Sequence, residues 1–194
     1  MPVNGYLYTA YGKPHNIEAI KSATSLRAVD KAAHITLVTD QDDLDNVFDV
    51  VVKKQCLGGF AGKVQLLSNE YYANTFYVDT DTFFCTDCSH LFDLLNHYDL
   101  CLTIDPAEPE LFAYPGLASY NTGVMLFRQN SYTDKLFQLF KRYYFDKEFY
   151  AKVLKNHPAE RGHTDQPAFM LAIRDSNIIS HILPNIYNAR YRFN

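Results

Sequence analysis

The 194-residue sequence has no tryptophan, four cysteines, eight glycines and eight prolines, and each scarcity excludes something. Four thiols in a chain of this length make no dense disulfide framework, and a cytosolic setting keeps them reduced. Glycine and proline are too sparse for a collagenous repeat, and no low-complexity tract or Gly/Ser linker interrupts the chain. Nowhere do the roughly 18 consecutive apolar residues of a membrane-spanning helix occur. The opening MPVNGYLYTAYGKPHN lacks the charged-then-apolar pattern of a secretory signal, so a soluble, cytoplasmic protein is expected. Basic residues are also short: 18 Lys and Arg stand against 22 Asp and Glu, a net charge of -4. No run of five basic residues occurs, which argues against nucleic acid and for a small-molecule partner. Without tryptophan, any stacking on a ligand falls to the 15 Tyr and 14 Phe.

What is present reads as a globular α/β chain. The composition, 47% hydrophobic and 21% charged, is not polar enough for disorder. The length suits one domain over residues 1–194, alone or at the N-terminal end of a longer polypeptide. Strands are expected at Gly5–Ala10, His34–Thr39, Val50–Lys53, Phe76–Asp79, Asp99–Ile104, Thr122–Phe127 and Ile178–Leu183. Helices are expected between the first two strands, where Ala19, Ala23 and Leu26 recur at helical spacing, and over Lys63–Tyr71 and Ser89–Tyr98. A longer helix is expected after a capping box formed by Ser131 and Asp134, and a last one follows Thr164 or Asp165, with Pro167 in its first turn. This alternation predicts a three-layer α/β/α sandwich around a mostly parallel sheet. Asp105 to Ser119, with three prolines and no periodicity, reads as an active-site flap or a surface excursion.

The segment FYVDTDTFF carries the sharpest chemistry: an apolar strand runs into Asp79-Thr80-Asp81. Side chains two apart on an extended chain share a face, and ligands of open α/β sheets bind beyond the strands' carboxyl ends. Two carboxylates held there without a fixed cation partner repel each other, which a hard Mn²⁺ or Mg²⁺ relieves while bridging phosphates. The bland alternative is a turn cap and a solvated neighbour. Asp79-Thr80-Asp81-Thr82 also matches the D-x-D-x-[TV] of haloacid-dehalogenase-type phosphatases. That chemistry needs the motif on the first strand and a later acidic pair, and neither is found.

Taken with TAYGKPHN, a helix ending SLR, Lys63 placed 16 residues before Asp79, HLFDLL, LTIDP, YNTGVMLFR, TDQPAFMLAI and LPNIYNARY, the chain resembles the GT-A nucleotide-sugar glycosyltransferases. It is most similar to glycosyltransferase family 8, over about Leu7 to Arg190. The resemblance implies hexose transfer from a UDP-sugar, UDP-glucose or UDP-galactose, to a glycan or other hydroxyl acceptor with Mn²⁺ or Mg²⁺. It places Thr9, Ala10 and Tyr11 at the nucleotide, Tyr11 stacking on the base or serving the core. Asp40 faces the base or caps a turn. Asp79 and Asp81 would hold the metal; Lys63, Thr80, Asp105, Asn121 and Thr122 would bind the donor; Gly123 would let the backbone approach the sugar. Asp165 and Gln166 would lie at the reacting sugar, although Asp165 as a helix cap is an equally plain reading. The family's third metal ligand, a histidine in a later H-x-x-G-x-x-K-P-W-like segment, has no counterpart here. His163 is the substitute considered, with His181 behind it. A decayed, purely binding module is the non-enzymatic alternative. Cys85-x-x-Cys88 has no partner pair, so buried reduced thiols are expected rather than zinc.

Overall fold

The computed structural model describes residues 2–42, 46–55, 57–67, 70–105, 119–149 and 164–189. Seven strands form one sheet: β1 (Asn4–Ala10), β2 (Ile35–Thr39), β3 (Val50–Lys53), β4 (Asn74–Val78), β5 (Leu100–Ile104), β6 (Tyr120–Arg128) and β7 (Ser180–Leu183), in the order β3-β2-β1-β4-β6-β5-β7. All neighbouring pairs are parallel except those of β6, which runs antiparallel to both β4 and β5. The expected mostly parallel sheet is therefore present, with one reversed strand at its centre.

Helices cover both faces, which is why the central strands read as continuous apolar runs. On one face, α1 (Gly12–Val29) lays Ala19, Ala23 and Leu26 against Tyr6, Tyr8, Ile35 and Leu37. The segment Ser89–Asn96 adds Leu91, Phe92 and Leu95 there, as a 3-10 helix rather than the expected α-helix. The other face is covered by α2 (Gly59–Leu66), α3 (Ser131–Phe145) and α4 (Gln166–Ser176). Phe137, Phe140 and Phe169 pack there against Leu100, Met125 and Phe127. Each such side chain, taken wholly out of water, contributes about 2 kcal/mol.

Several boundaries depart from the expectation for identifiable reasons. Helix α2 lies at Gly59–Leu66 instead of Lys63–Tyr71. Gly58 and Gly59, both at positive φ, turn the chain into it early, a conformation that glycine adopts without strain. Helix α3 is capped one residue earlier than Ser131: the Asn130 side chain accepts from the Tyr132 and Thr133 amides, and Thr133 reciprocates onto the Asn130 amide. Helix α4 starts where expected, with Pro167 in its first turn, and ends at Asn177 in the left-handed conformation.

The thiols differ from the expectation in part. Cys101 is buried, and burial pushes its thiol up to about 12, but Cys85 is exposed because it lies in the loop after the Asp79 turn. Cys56 lies outside the described residues, as do Tyr114, most of the expected flap and His163. His181 is on β7, stacked on Tyr98 with ring centroids 4.6 Å apart, so its place is a packing one. Among the described residues, no helix is long and apolar enough to cross a membrane.

Candidate active site

Strand β4 ends at Val78, and the chain turns at once: the Thr82 amide donates to the Asp79 carbonyl at 3.3 Å. Asp79 and Asp81 therefore sit on a turn and not on an extended strand. The expectation that the pair lacks a fixed cation is also corrected. Lys63, one turn into α2 and only 6% exposed, places its Nζ 3.0 Å from Asp79 Oδ1 and 3.2 Å from Asp165 Oδ2. Asp81, by contrast, is exposed.

Lys63 is the hub of this cluster. Its ammonium donates to Thr122 Oγ1 at 3.0 Å and lies 5.2 Å from the centroid of the Tyr77 ring. The Thr122 hydroxyl in turn donates to Asp165 Oδ2 at 2.7 Å. Tyr77 donates its hydroxyl to Asp79 Oδ1 at 2.9 Å and shares a hydrogen bond with Thr9 Oγ1 at 3.1 Å. Asp165 stands at the N-terminus of α4 but makes no capping hydrogen bond with its side chain. A helix start ordinarily uses a carboxylate in that way. Here the carboxylate is turned inward to the ammonium instead.

Electrostatics follow from this geometry. Burial alone would push Lys63 down, but the attraction of Asp165 and Asp79 outweighs it and holds the ammonium above its ordinary value. Burial pushes Asp79 above the ordinary carboxylate range despite the opposing pull of Lys63, and the nearby Asp165 charge adds to the rise. Two carboxylates share one ammonium, so the cluster carries an uncompensated negative charge.

In front of it opens a cavity of about 410 Å³, whose lining includes Thr9, Tyr11, Lys63, Asp79, Thr80 and Asp81. His15 and Glu18 of α1 and Phe60 of α2 complete its sides. Glu18 accepts from the Thr80 hydroxyl at 3.0 Å and bonds His15 at 3.1 Å, which ties the Asp79 turn to α1. The lining thus holds Glu18, Asp79 and Asp81 against the single ammonium of Lys63. A diphosphate meets net negative charge there unless a cation enters with it. Carboxylate oxygens are the donors a hard cation takes, but no group of three or more His, Cys, Asp or Glu that could hold a metal ion by itself is found among the described residues. Mg²⁺ and similar ions take one or two carboxylates and complete their shell with water and phosphate.

A second group of expected residues gathers beside the cavity. The register between β5 and β6 slips by three residues: Leu102 faces Met125, but Thr103 faces Asn121. The slip leaves Thr122, Gly123 and Val124 without partners on β5, an irregularity of the bulge kind. The unbroken register of β4 with β6, in which Val78 faces Val124, sets Asp79 beside Gly123, and the Asp79 amide donates to the Gly123 carbonyl at 2.8 Å. A Cβ at Gly123 would meet Asp79 Oδ2 and Asn121 Oδ1, each at 2.9 Å. The glycine therefore admits the Asp79 carboxylate. Gln166 Nε2 donates to Asp105 Oδ2 at 3.5 Å, so these two expected residues meet. Ala10 points into the core, and Thr122 is buried behind Lys63, so neither lines the cavity. Asp40 accepts from the Gly12 amide at 3.0 Å, at the start of α1, and that bond holds its carboxyl below the ordinary range. Glu18 and Tyr77 are site residues that the sequence reading missed. Both stand at a fixed spacing from residues it did single out, but an isolated Glu on a helix or Tyr in a strand carries no signal of its own.

Comparison with protein-family models and with the curated proteins finds no match. Among solved structures the chain is similar to the glycosyltransferase GlyE of Streptococcus pneumoniae TIGR4, with 18% identity and a TM-score of 0.59 over 95% of this chain and 46% of that one. It is similar to the bifunctional glycosyltransferase WbbM, with 11% identity and a TM-score of 0.62 over 95% of this chain and 39% of that one. It is also similar to the galactosyltransferase LgtC, seen with donor and acceptor sugar analogues, with 11% identity and a TM-score of 0.58 over 91% of this chain and 72% of that one. The chain thus spans less than half the length of GlyE and WbbM. On the sheet order, the layers and these likenesses, the chain has the GT-A fold of the nucleotide-diphospho-sugar transferases.

Proposed function

We propose that the chain is a metal-dependent glycosyltransferase that moves a hexose from a UDP-sugar, UDP-glucose or UDP-galactose, to a hydroxyl of a glycan or other acceptor. Residues 1–194 act as one catalytic domain of a soluble, cytoplasmic protein. The observation that carries the reading is the Lys63 hub, which joins the Asp79-Thr80-Asp81 turn at the cavity to Asp165 at the start of α4. A purely structural ion pair has no need of an open cavity on one side and an unbalanced carboxylate. The phosphatase alternative loses its support, because three strands precede the motif and the fold is GT-A.

In this reading Tyr11 and Thr9 hold the nucleoside at the end of β1. Asp79 and Asp81 supply the oxygens for Mn²⁺ or Mg²⁺. Bound there, the ion would supply Lewis-acid neutralisation of charge on the diphosphate, worth several kcal/mol. Lys63 pulls against the rise that burial imposes on Asp79 and adds a fixed positive charge beside the phosphates. Asp105, Asn121, Asp165 and Gln166 orient the hexose so that the bond from its anomeric carbon to the phosphate oxygen breaks while the acceptor oxygen bonds to the same carbon, the acceptor's proton passing to the departing diphosphate.

Titration calorimetry tests this directly. UDP should bind far more tightly with Mn²⁺ than without it, and Asp81→Ala should abolish both that dependence and UDP-sugar hydrolysis. If UDP binds independently of Mn²⁺, or Asp81→Ala leaves hydrolysis unchanged, the reading is wrong.

A further inference from the structure

The side-chain amide of Asn121 has its orientation identified by a partner that can only donate. The backbone N–H of Gly123 donates to Asn121 Oδ1 at 2.7 Å, so the atom facing it is the oxygen and no flipped alternative survives. A second donor meets the same oxygen: Asn188 Nδ2, at 2.9 Å. That contact requires a nitrogen on Asn188, so the Asn188 amide is oriented as well. Asn188 Nδ2 also donates to Thr103 Oγ1 at 3.2 Å, across the point where β5 and β6 slip register. Asn188 ends the 3-10 turn Asn185–Asn188, 67 positions from Asn121 in sequence.

With both bonds spent on Oδ1, Asn121 keeps its Nδ2 and two N–H groups uncommitted among the described residues, beside Gly123 and Asp79. We infer that Asn188 is a positioning residue for donor selectivity: by holding Asn121 Oδ1 it commits Asn121 Nδ2 to donate to a hydroxyl of the transferred hexose. The inference rests on the UDP-sugar reading above. A merely structural Asn188 would tie its turn to Thr103 and affect all ligands alike. Held by Gly123 alone, the Asn121 amide can swing out of line, and the bond lost is one made to the hexose and not to the nucleotide.

The test compares UDP with UDP-glucose and UDP-galactose by titration calorimetry in the presence of Mn²⁺. Asn188→Ala should leave UDP affinity within about twofold and weaken the UDP-hexose about 5- to 10-fold, the scale of one hydrogen bond. Asn188→Asp can still accept from Thr103 but can only repel Asn121 Oδ1. It should therefore weaken the UDP-hexose at least as much while keeping the melting temperature of the unmodified protein. Parallel weakening of UDP and UDP-hexose, or no change in either, overturns the inference. In the unmodified protein the Asn121 side-chain amide resonances should shift with UDP-hexose and not with UDP, a readout that needs no variant; an equal shift with both overturns it. Should the unmodified protein bind none of these nucleotides, the donor reading itself fails, and the inference with it.

Discussion

Two carboxylates at opposite ends of the same sheet are held in opposite ways. Asp99, just ahead of β5 and 1% exposed, accepts from Arg128 Nε at 2.8 Å, Asn130 Nδ2 at 2.7 Å and the Ile179 amide at 3.1 Å. Burial alone would raise its pKa, but these donors more than offset that and hold the carboxyl below the ordinary range. Asp79, beyond the other end of β4, shares its one ammonium with Asp165, faces a cavity and is pushed upward. Both are acidic residues beside a strand, and their neighbours alone separate them. Asp99 joins β5, β6 and the chain leading into β7 in a closed set of bonds. Asp79 belongs to a set left one positive charge short, which fits the cation proposed for it.

The contrast is easiest to break at Asp79. Asp79→Asn should lower UDP-sugar hydrolysis on the order of 10³-fold, the loss of several kcal/mol of charge stabilisation. The same change relieves the excess negative charge beside Lys63, so the melting temperature should hold or rise by about 2 °C, as stability and activity trade at such sites. A large drop in melting temperature would mean that Asp79 is structural after all. Asp99→Ala is the converse. It should cost about 2 kcal/mol, lowering the melting temperature by roughly 6 °C, while hydrolysis measured well below the transition stays within twofold. If activity falls in step with Asp79→Asn, the two ends of the sheet are not separable.

The smallest effect is the pH dependence of Asp99. A carboxyl lowered in the folded state stabilises fully above its unfolded value of about 3.9, and that contribution is lost as pH falls through the folded value. The stability difference between the unmodified protein and Asp99→Ala, read from urea midpoints, should therefore be constant from about pH 7 to 5 and shrink below about pH 4. A difference that grows on acidification would contradict the assignment.

Much of the fold was legible because its signals are local. Strand β3 falls on Val50–Lys53 as read, and Ala19, Ala23 and Leu26 are all fully buried on α1. Where two structures share one pattern, the reading failed. Leu91, Leu94 and Leu95 suit an α-helix and a 3-10 helix equally, and Asn130 and Ser131 are both good caps. Of the site, the Asp79-Thr80-Asp81 motif stood out by type and spacing, and the Asp165-Gln166 pair through the family resemblance. The partners that give them meaning did not, because Lys63 and Asp165 lie 102 positions apart and no periodicity links them.

The sequence alone determined the layered α/β architecture, since strand and helix periodicities are written into neighbouring residues. It also determined which acidic motif ends a central strand. Only the tertiary structure decided that β6 runs backwards between β4 and β5, that its register with β4 sets Gly123 beside Asp79 while a three-residue slip sets Asn121 opposite Thr103, and that one buried lysine serves two carboxylates. Register, charge pairing and amide orientation are set by whichever groups come within about 3 Å once the chain has closed on itself, and distance along the chain says nothing of that.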